Sequence, residues 1–138
     1  MLRIAVFVAL VLAGMAARAQ EVRDYLCTVE RVSNADDAES RFLEMQRKTL
    51  AGKQFSVSRR TGVMTGALKN SFITQPEVID VGSADNSFKA VTTLRPGQGR
   101  GPGSNINVLV VREFEPGQNK PFIFLDNEDL YFGKCRHF

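Results

Sequence analysis

The chain has no tryptophan and a single histidine, His137, in 138 residues. A serine or cysteine hydrolase normally needs a histidine as its base, and a zinc site normally needs more than one nitrogen or sulfur ligand. His137 is next to the C-terminus, where we expect a surface or sheet-edge residue. These counts favour a protein without a catalytic histidine, a metal or a cofactor, although they leave open an enzyme that uses carboxylates or lysine.

Long apolar runs are also scarce, and one spans residues 4–13 at the start of the chain. Arg3 precedes it and the sequence Ala-Arg-Ala follows at 17–19, in the three-part pattern of a secretory signal peptide. The run is shorter than the roughly 20 residues that a membrane-spanning helix needs. We therefore expect residues 1–19 to be a signal peptide and residues 20–138 to be one periplasmic or secreted domain without a membrane anchor. An N-terminal core element of a cytosolic domain is the alternative interpretation.

Cysteine occurs twice, at Cys27 and Cys135. In an exported protein an isolated pair most simply forms one disulfide, because the compartment is oxidising. The bond would close a loop of about 100 residues and stabilise the fold by roughly 4 to 5 kcal/mol in the chain-entropy model. A reactive thiol or a metal ligand is the alternative, but it would need partner groups that the chain lacks.

Neither sign of charge is in excess once residues 1–19 are set aside. Loss of Arg3 and Arg18 leaves sixteen Lys and Arg against fifteen Asp and Glu, so the formal net charge falls from +3 to +1. A nucleic-acid-binding protein normally carries a clustered positive excess for phosphate contacts. The mixed charges therefore argue against a nucleic-acid partner.

What the chain does contain is a series of short segments in which apolar and polar residues alternate. They predict strands, because successive side chains point to opposite faces of a strand. The absence of a βαβ rhythm predicts a mainly β (α+β) fold, an antiparallel sandwich or barrel-like sheet of seven to eight strands with one helix. The predicted strands are 25–32, 53–59, 63–68, 78–81, 87–95 and 105–114, followed by a hairpin at 121–138.

The predicted helix lies within residues 33–52. Asn34 or Asp36 can cap its N-terminus, and acidic residues crowd its first turn. The apolar positions that recur at helical spacing are Ala38, Phe42 and Met45.

The C-terminal hairpin at 121–138 contains two apolar runs joined by a polar turn. In its first strand Phe122 and Phe124 alternate with Ile123 and Leu125, so both faces are apolar. A strand of this kind belongs inside a structure. We therefore expect the hairpin to lie in the middle of the core.

The connection at 95–104 is far longer than a hairpin needs and carries a glycine at every second position from Gly97 to Gly103. It does not fit a dinucleotide-binding loop, because a strand follows it where a helix N-terminus is required. Such a loop could insert into the cleft of a partner or bind an anion, and a tolerated hairpin tip is the alternative. The candidate binding residues are Arg95, Gln98 and Arg100.

Arg59 and Arg60 lie at another predicted hairpin turn. If this turn were close to Arg95 or Arg100, the side chains would form a small patch for an anionic ligand. Charges that simply keep a turn soluble are the alternative, since exposed charge needs little explanation.

Asp126, Glu128 and Asp129 form an acidic turn in the C-terminal hairpin. Paired carboxylates can hydrolyse glycosidic bonds, and clustered ones can bind calcium, but the helix-loop-helix calcium pattern is absent. Asn and Asp are also the residues that turns favour. A polar turn is therefore the simplest interpretation.

Three sequence blocks carry a resemblance to known proteins. They run from Arg60 to Asn70, over SFKAVTTL at 87–94 and over KPFIFLDNEDLYFGKC at 120–135. Their order resembles that of a group of small exported proteobacterial proteins of unassigned function. The resemblance covers most of residues 20–138 and implies bacterial export, and it carries no catalytic signature.

These features favour an exported binding or accessory module. Its design would be inhibitor-like, presenting the 95–104 loop to a protein partner in the envelope or outside the cell. A small enzyme using Asp126 or Glu128 is one alternative, and a structural envelope protein is another. The missing catalytic groups favour the binding module over the enzyme.

Overall fold

The structure, a computed structural model, describes residues 21–35 and 40–138. The predicted signal peptide lies outside the described residues. Within them the chain forms eight strands and one helix. In order these are β1 (Tyr25–Asn34), α1 (Arg41–Leu50), β2 (Gln54–Val57), β3 (Met64–Gly66), β4 (Glu77–Val81), β5 (Phe88–Leu94), β6 (Asn105–Val111), β7 (Lys120–Asp126) and β8 (Asp129–His137).

All eight strands belong to one antiparallel sheet with the order β3-β2-β1-β8-β7-β6-β5-β4. The sheet curls into a half-barrel, so the predicted mainly β, barrel-like fold with one helix is confirmed. The inner face carries the core, which includes four buried phenylalanines from three different strands. They are Phe55, Phe88, Phe122 and Phe124.

The C-terminal hairpin occupies the centre of the sheet, as the sequence predicts. β8 pairs with β1 on one side and with β7 on the other. Phe122 and Phe124 are buried on the inner face, but Ile123 is 44% exposed on the outer face. The expectation that both faces are buried was therefore wrong, because a single antiparallel sheet packs its core against one face and leaves the other to solvent.

The Cys27–Cys135 disulfide joins the two ends of the chain within the sheet. The two residues lie opposite each other in the β1–β8 register, and both are fully buried. The predicted disulfide is confirmed.

The helix begins later than the sequence suggests, and a different face is buried. Ser40 caps it, its Oγ accepting a hydrogen bond from the Leu43 N–H at 3.1 Å. Leu43 is buried, whereas Phe42 and Met45 are 58% and 56% exposed. The predicted apolar face was therefore wrong at these two positions. The predicted cap at Asn34 was wrong as well, because Asn34 is the last residue of β1, and Asp36 and Ala38 lie outside the described residues.

Polar contacts fix this rotation of α1. The Arg47 Nε donates to the Val32 carbonyl at 3.0 Å, and the Gln46 Nε2 donates to the Tyr131 hydroxyl at 3.3 Å. Residues 46 and 47 can reach the sheet when Leu43 also faces it, since side chains three and four apart share one side of a helix. Phe42 and Met45 are then turned toward solvent.

The half-barrel has two ends, and the pairing of β5 with β6 defines them. At the lower end Phe88 faces Val111, and at the upper end Leu94 faces Asn105. Six residue steps of about 3.3 Å separate these pairs, so the ends are on the order of 20 Å apart.

Arg59 spans the gap between the two halves of the curled sheet at the lower end. It follows β2, and its Nη2 and Nε donate to the Val81 carbonyl at the end of β4, at 2.6 and 3.1 Å. Its Nη2 also donates to the Gly82 carbonyl at 3.2 Å, and the residue is 7% exposed. The side chain therefore acts as a bridge that holds the half-barrel in its curled form.

Glu113 completes this bridge and recruits His137. The carboxylate accepts from the Tyr25 hydroxyl at 2.7 Å, lies 2.9 Å from the His137 Nε2, and is 3.8 Å from the Arg59 Nη1. The His137 side chain is 18% exposed and lies on the central strand β8. Its predicted surface or edge position was wrong, because β8 is covered on both sides by neighbouring strands.

Candidate binding site at the upper end of the half-barrel

The 95–104 loop connects β5 to β6 at the upper end. Arg95, Gln98 and Arg100 are all exposed there. The Arg95 N–H donates to the Gln98 Oε1 at 2.6 Å, and the Gln98 N–H donates to the Arg95 carbonyl at 3.1 Å. The side chain of Gln98 thus shapes its own turn, and Arg95 and Arg100 are the basic side chains that the loop exposes.

The structure does not bring the two predicted arginine pairs together. Arg59 is buried at the lower end, and Arg60, which is exposed, lines an open cleft at that same end. Arg95 and Arg100 follow the upper end of β5, on the order of 20 Å away along the strand. A joint anion patch of the four side chains is therefore not formed, although each side chain stays a separate candidate.

A neighbouring segment, residues 71–74, adds apolar surface that the sequence analysis missed. Phe72 and Ile73 are 70% and 58% exposed. The Ile73 Cδ1 lies 3.0 Å from the position that a Cβ on Gly99 would take, so the loop rests directly on this segment. A bulky apolar pair in an irregular connection, without strand or helix periodicity, was the signal that could have revealed it.

A small cavity of about 40 Å³ lies beside Phe72 and Ile73. Its walls combine carboxamide and hydroxyl side chains with apolar ones, and its lining contains no charged residue. The lining residues are Asn70, Phe72, Ile73, Thr74, Thr92, Leu94, Asn105 and Asn107.

Some polar side chains around this cavity already form hydrogen bonds with other parts of the fold. The Asn70 Oδ1 accepts from the Met64 N–H and its Nδ2 donates to the Gly62 carbonyl, both at 2.9 Å. The Asn107 Nδ2 donates to the Asp126 Oδ1 at 2.8 Å. These bonds tie the walls of the cavity to β3 and β7.

Two other polar atoms at the cavity form no hydrogen bond with a described residue. Among the described residues, the Thr92 Oγ1 and the Asn105 Oδ1 are buried and have no hydrogen-bond partner. Thr92 is 6% exposed. A buried polar atom without a hydrogen-bond partner destabilises the folded state. A ligand that forms hydrogen bonds with these two atoms would therefore stabilise it.

An open cleft of about 610 Å³ lies next to the cavity, and the Asn107–Asp126 hydrogen bond links the two. The cleft contains the acidic turn between β7 and β8. Its lining residues are Asn34, Ala35, Phe42, Ser104, Asp126, Asn127, Glu128 and Asp129.

The acidic turn has the geometry of a tight hairpin. Asp126 faces Asp129 in the β7–β8 register, and Asn127 adopts a left-handed conformation with φ of 52°. The Asn127 Oδ1 accepts from the Ile106 N–H at 3.0 Å. Asn is well suited to this position, because its short polar side chain tolerates the left-handed region.

Burial changes the acidity of two groups at this end. Burial raises the pKa of Asp126 above its usual value, the hydrogen bond from Asn107 lowers it, and the charge of Asp129 raises it again. Burial also raises the pKa of Tyr131 to about 12, with the charges of Asp129 and Asp126 adding to the effect and a hydrogen bond from Gln46 opposing it. Gln46 also donates from its Nε2 to the Asp129 Oδ2 at 3.2 Å.

The described residues contain no group of three His, Cys, Asp or Glu side chains that could hold a metal ion. The helix α1 in residues 21–35 and 40–138 is not long and apolar enough to cross a membrane.

The upper end thus offers an exposed apolar pair, two exposed arginine side chains, a neutral cavity and a carboxylate cleft. Comparison with protein-family models, curated proteins and solved structures finds no match for this chain.

Proposed function

We propose that the chain is a binding module that recognises a protein partner with the upper end of its half-barrel. The contact surface consists of the 95–104 loop together with Phe72 and Ile73, and it is named here the loop surface. The observation that carries the proposal is the contact of Ile73 with Gly99, which makes the loop and the exposed apolar pair one continuous surface.

The chemistry of the loop surface indicates what it would bind. Phe72 and Ile73 are apolar, and exposed neighbouring apolar side chains are typical of interaction sites. Arg95 and Arg100 are the basic side chains at its rim. A complementary partner would therefore present an apolar pocket bordered by carboxylates.

The rest of the fold supports this role by holding the surface in place. The disulfide and the Arg59 bridge stabilise the sheet on which the loop surface is mounted. A preformed binding surface loses less conformational entropy on association than a flexible one.

The experiment is affinity capture of partners from native envelope and secreted fractions by the oxidised protein. The test variants are a loop variant, in which residues 96–104 are replaced by a short turn, and Phe72→Ser. Phe138→Ser is the matched control, since Phe138 is 60% exposed at the lower end of the molecule. We expect a partner that wild type and Phe138→Ser retain and that both test variants lose. Equal capture by all four proteins would contradict the proposal.

Export of the chain belongs to the same proposal. The Cys27–Cys135 disulfide is consistent with an oxidising compartment. The group of small exported proteobacterial proteins that the sequence blocks resemble would share this location. Mass spectrometry of the protein from its native host would detect a mature N-terminus at Gln20, and a retained N-terminus in the cytosolic fraction would argue against export.

A second candidate function is a small enzyme that uses the acidic turn. It is favoured by one observation, the raised pKa of Asp126 next to Asp129 in an open cleft. If it is correct, screening of glycosidic substrates would find an activity that an Asp126→Asn, Glu128→Gln double variant loses. Full activity in that variant would dismiss these carboxylates.

A further inference from the structure

We propose that the neutral cavity at the upper end is a binding site for a primary carboxamide. Thr92 and Asn105 recognise the group, and the apolar walls formed by Leu94 and Ile73 hold the carbon that bears it. The site adjoins the loop surface, since Phe72 and Ile73 belong to both.

Size sets the first limit on the ligand. A cavity needs a volume of about 10 to 15 Å³ to hold one water molecule. The observed 40 Å³ therefore accommodates a group of a few heavy atoms, although a sugar or nucleobase ring is too large. A carboxamide with one attached carbon is of suitable size.

Charge sets the second limit. The eight lining residues are all uncharged. Transfer of an ionised carboxylate or ammonium group from water into such surroundings is costly unless a counter-charge meets it. A neutral polar group meets no such penalty when its hydrogen bonds are satisfied.

Hydrogen-bond chemistry favours a neutral group that carries both a donor and an acceptor, such as a carboxamide. The Asn105 Oδ1 is an acceptor and needs a donor, whereas the Thr92 hydroxyl can donate to an acceptor. A carboxamide supplies both groups, because its NH₂ donates to Asn105 and its carbonyl oxygen accepts from Thr92.

The strand register places these two residues suitably. Thr92 is opposite Asn107, and Asn105 is two residues before Asn107 on β6. Thr92 and Asn105 are therefore diagonal neighbours across β5 and β6, a relation that puts Cβ atoms about 7 Å apart. One small group can lie between two side chains at that spacing.

The test uses acetamide as the probe and acetate as its charged counterpart of the same size. Each is titrated into the oxidised, ¹⁵N-labelled protein, and NMR follows the side-chain NH₂ signals of Asn105 and Asn70 and the backbone amide of Thr92. We expect saturable shifts with acetamide and none with acetate. Equal shifts with both probes, or no shift with either, would overturn the proposal and leave a site for ordered water.

Thr92→Val separates ligand recognition from folding, because it removes the hydroxyl and keeps the shape. We expect it to weaken acetamide binding roughly fivefold, the effect of one neutral hydrogen bond. The variant should also unfold at a higher denaturant concentration than wild type, since it removes a buried hydroxyl that no described residue satisfies. Thr92→Ser, which keeps the hydroxyl, should bind acetamide as wild type does. Undiminished acetamide affinity in Thr92→Val would contradict the assigned role of the hydroxyl.

The carboxamide can come from a free small molecule or from an Asn or Gln side chain of a partner. The two sources are distinguished by adding acetamide to a captured complex. If acetamide releases the partner, the carboxamide in the cavity belongs to a partner side chain. If the partner stays bound, the cavity binds a free small molecule.

Discussion

Gly133 lies in β8, where the strand has no room for a side chain against β1. It is opposite Val29, immediately before the register of the two strands shifts between Val29 and Arg31. A Cβ at this position would lie 1.9 Å from the Thr28 carbonyl oxygen and 2.8 Å from the Phe122 ring. Backbone cannot move aside as a flexible side chain can, so the close approach of the strands requires glycine.

The first prediction is that Gly133→Ala lowers the free energy of unfolding by about 3 kcal/mol or more, because the methyl group collides with backbone in a packed core. Gly101→Ala is the control, since a Cβ there has no heavy atom within 4 Å. Urea unfolding of both variants checks the prediction. Similar midpoints for the two variants would show that the strands are not this close.

The second prediction concerns the two tyrosines, Tyr25 and Tyr131. Burial raises the pKa of Tyr25 strongly, with its hydrogen bond to Glu113 adding to the effect, and burial raises that of Tyr131 to about 12. Both folded-state pKa values exceed the unfolded value of about 10. The neutral phenols therefore stabilise the fold fully below about pH 10, and this stabilisation is lost as the pH rises through the folded-state values.

Ultraviolet absorbance of tyrosinate measures this directly, because the chain has no tryptophan. We expect no phenol to ionise near pH 10 in the native protein and the absorbance to rise close to pH 12 or on unfolding. Ionisation of a native tyrosine at its ordinary pKa would contradict the buried position of that side chain.

At the scale of elements, β1 and β8 depend on the disulfide that joins them. The third prediction is that a Cys27→Ala, Cys135→Ala double variant loses about 4 to 5 kcal/mol of stability in the chain-entropy model. The bond links residues that are 108 positions apart in the sequence, so it lowers the conformational entropy of a long loop in the unfolded chain. Denaturant unfolding of the oxidised wild type and the variant gives the difference. A loss below about 1 kcal/mol would show that the bond constrains the unfolded chain little.

The β7–β8 hairpin provides the fourth prediction. The pKa of Asp126 is raised in the folded state, so its protonated form favours folding below the unfolded pKa and this contribution is lost as the pH rises through the folded-state pKa. Asp126→Asn keeps an acceptor for Asn107 and removes the charge. We expect the variant to be more stable than wild type at pH 7, with a difference that shrinks toward acidic pH.

Glu128→Gln is the control for this hairpin, because Glu128 is exposed on the same turn. Unfolding midpoints across the acidic range are compared for both variants. A Glu128→Gln effect as large as that of Asp126→Asn would show that the turn charge as a whole, and not burial of Asp126, is responsible.

The elements themselves were largely predictable from sequence, because strand alternation is a local signal. Residues Tyr25, Cys27 and Val29 all face the core as their alternation predicts. The strand predicted at 53–59 ends at Val57, because the Gly62 N–H donates to the Ser58 carbonyl and closes a turn. The helix face was not predictable in this way, since Gln46 and Arg47 set it through partners on other elements.

On the scale of the whole molecule, the two ends of the half-barrel differ in kind. The lower end is bridged by Arg59, Glu113 and His137, whereas the upper end carries the neutral cavity, the acidic turn and the loop surface. The sequence could not reveal this polarity, because Arg59 and Val81 are 22 residues apart and Tyr25 and Glu113 are 88 apart. The loop was visible as an unusual segment, but its contact with Ile73 depends on the fold.

The most direct test of the binding proposal is site-specific photocross-linking in the native host. A benzoylphenylalanine replaces Phe72 at the upper end or Phe138 at the lower end, two exposed phenylalanines of similar accessibility. The account predicts a discrete cross-linked protein from position 72 and none from position 138. Cross-links from position 138 alone would place the interaction at the wrong end of the molecule and contradict the assignment of the loop surface.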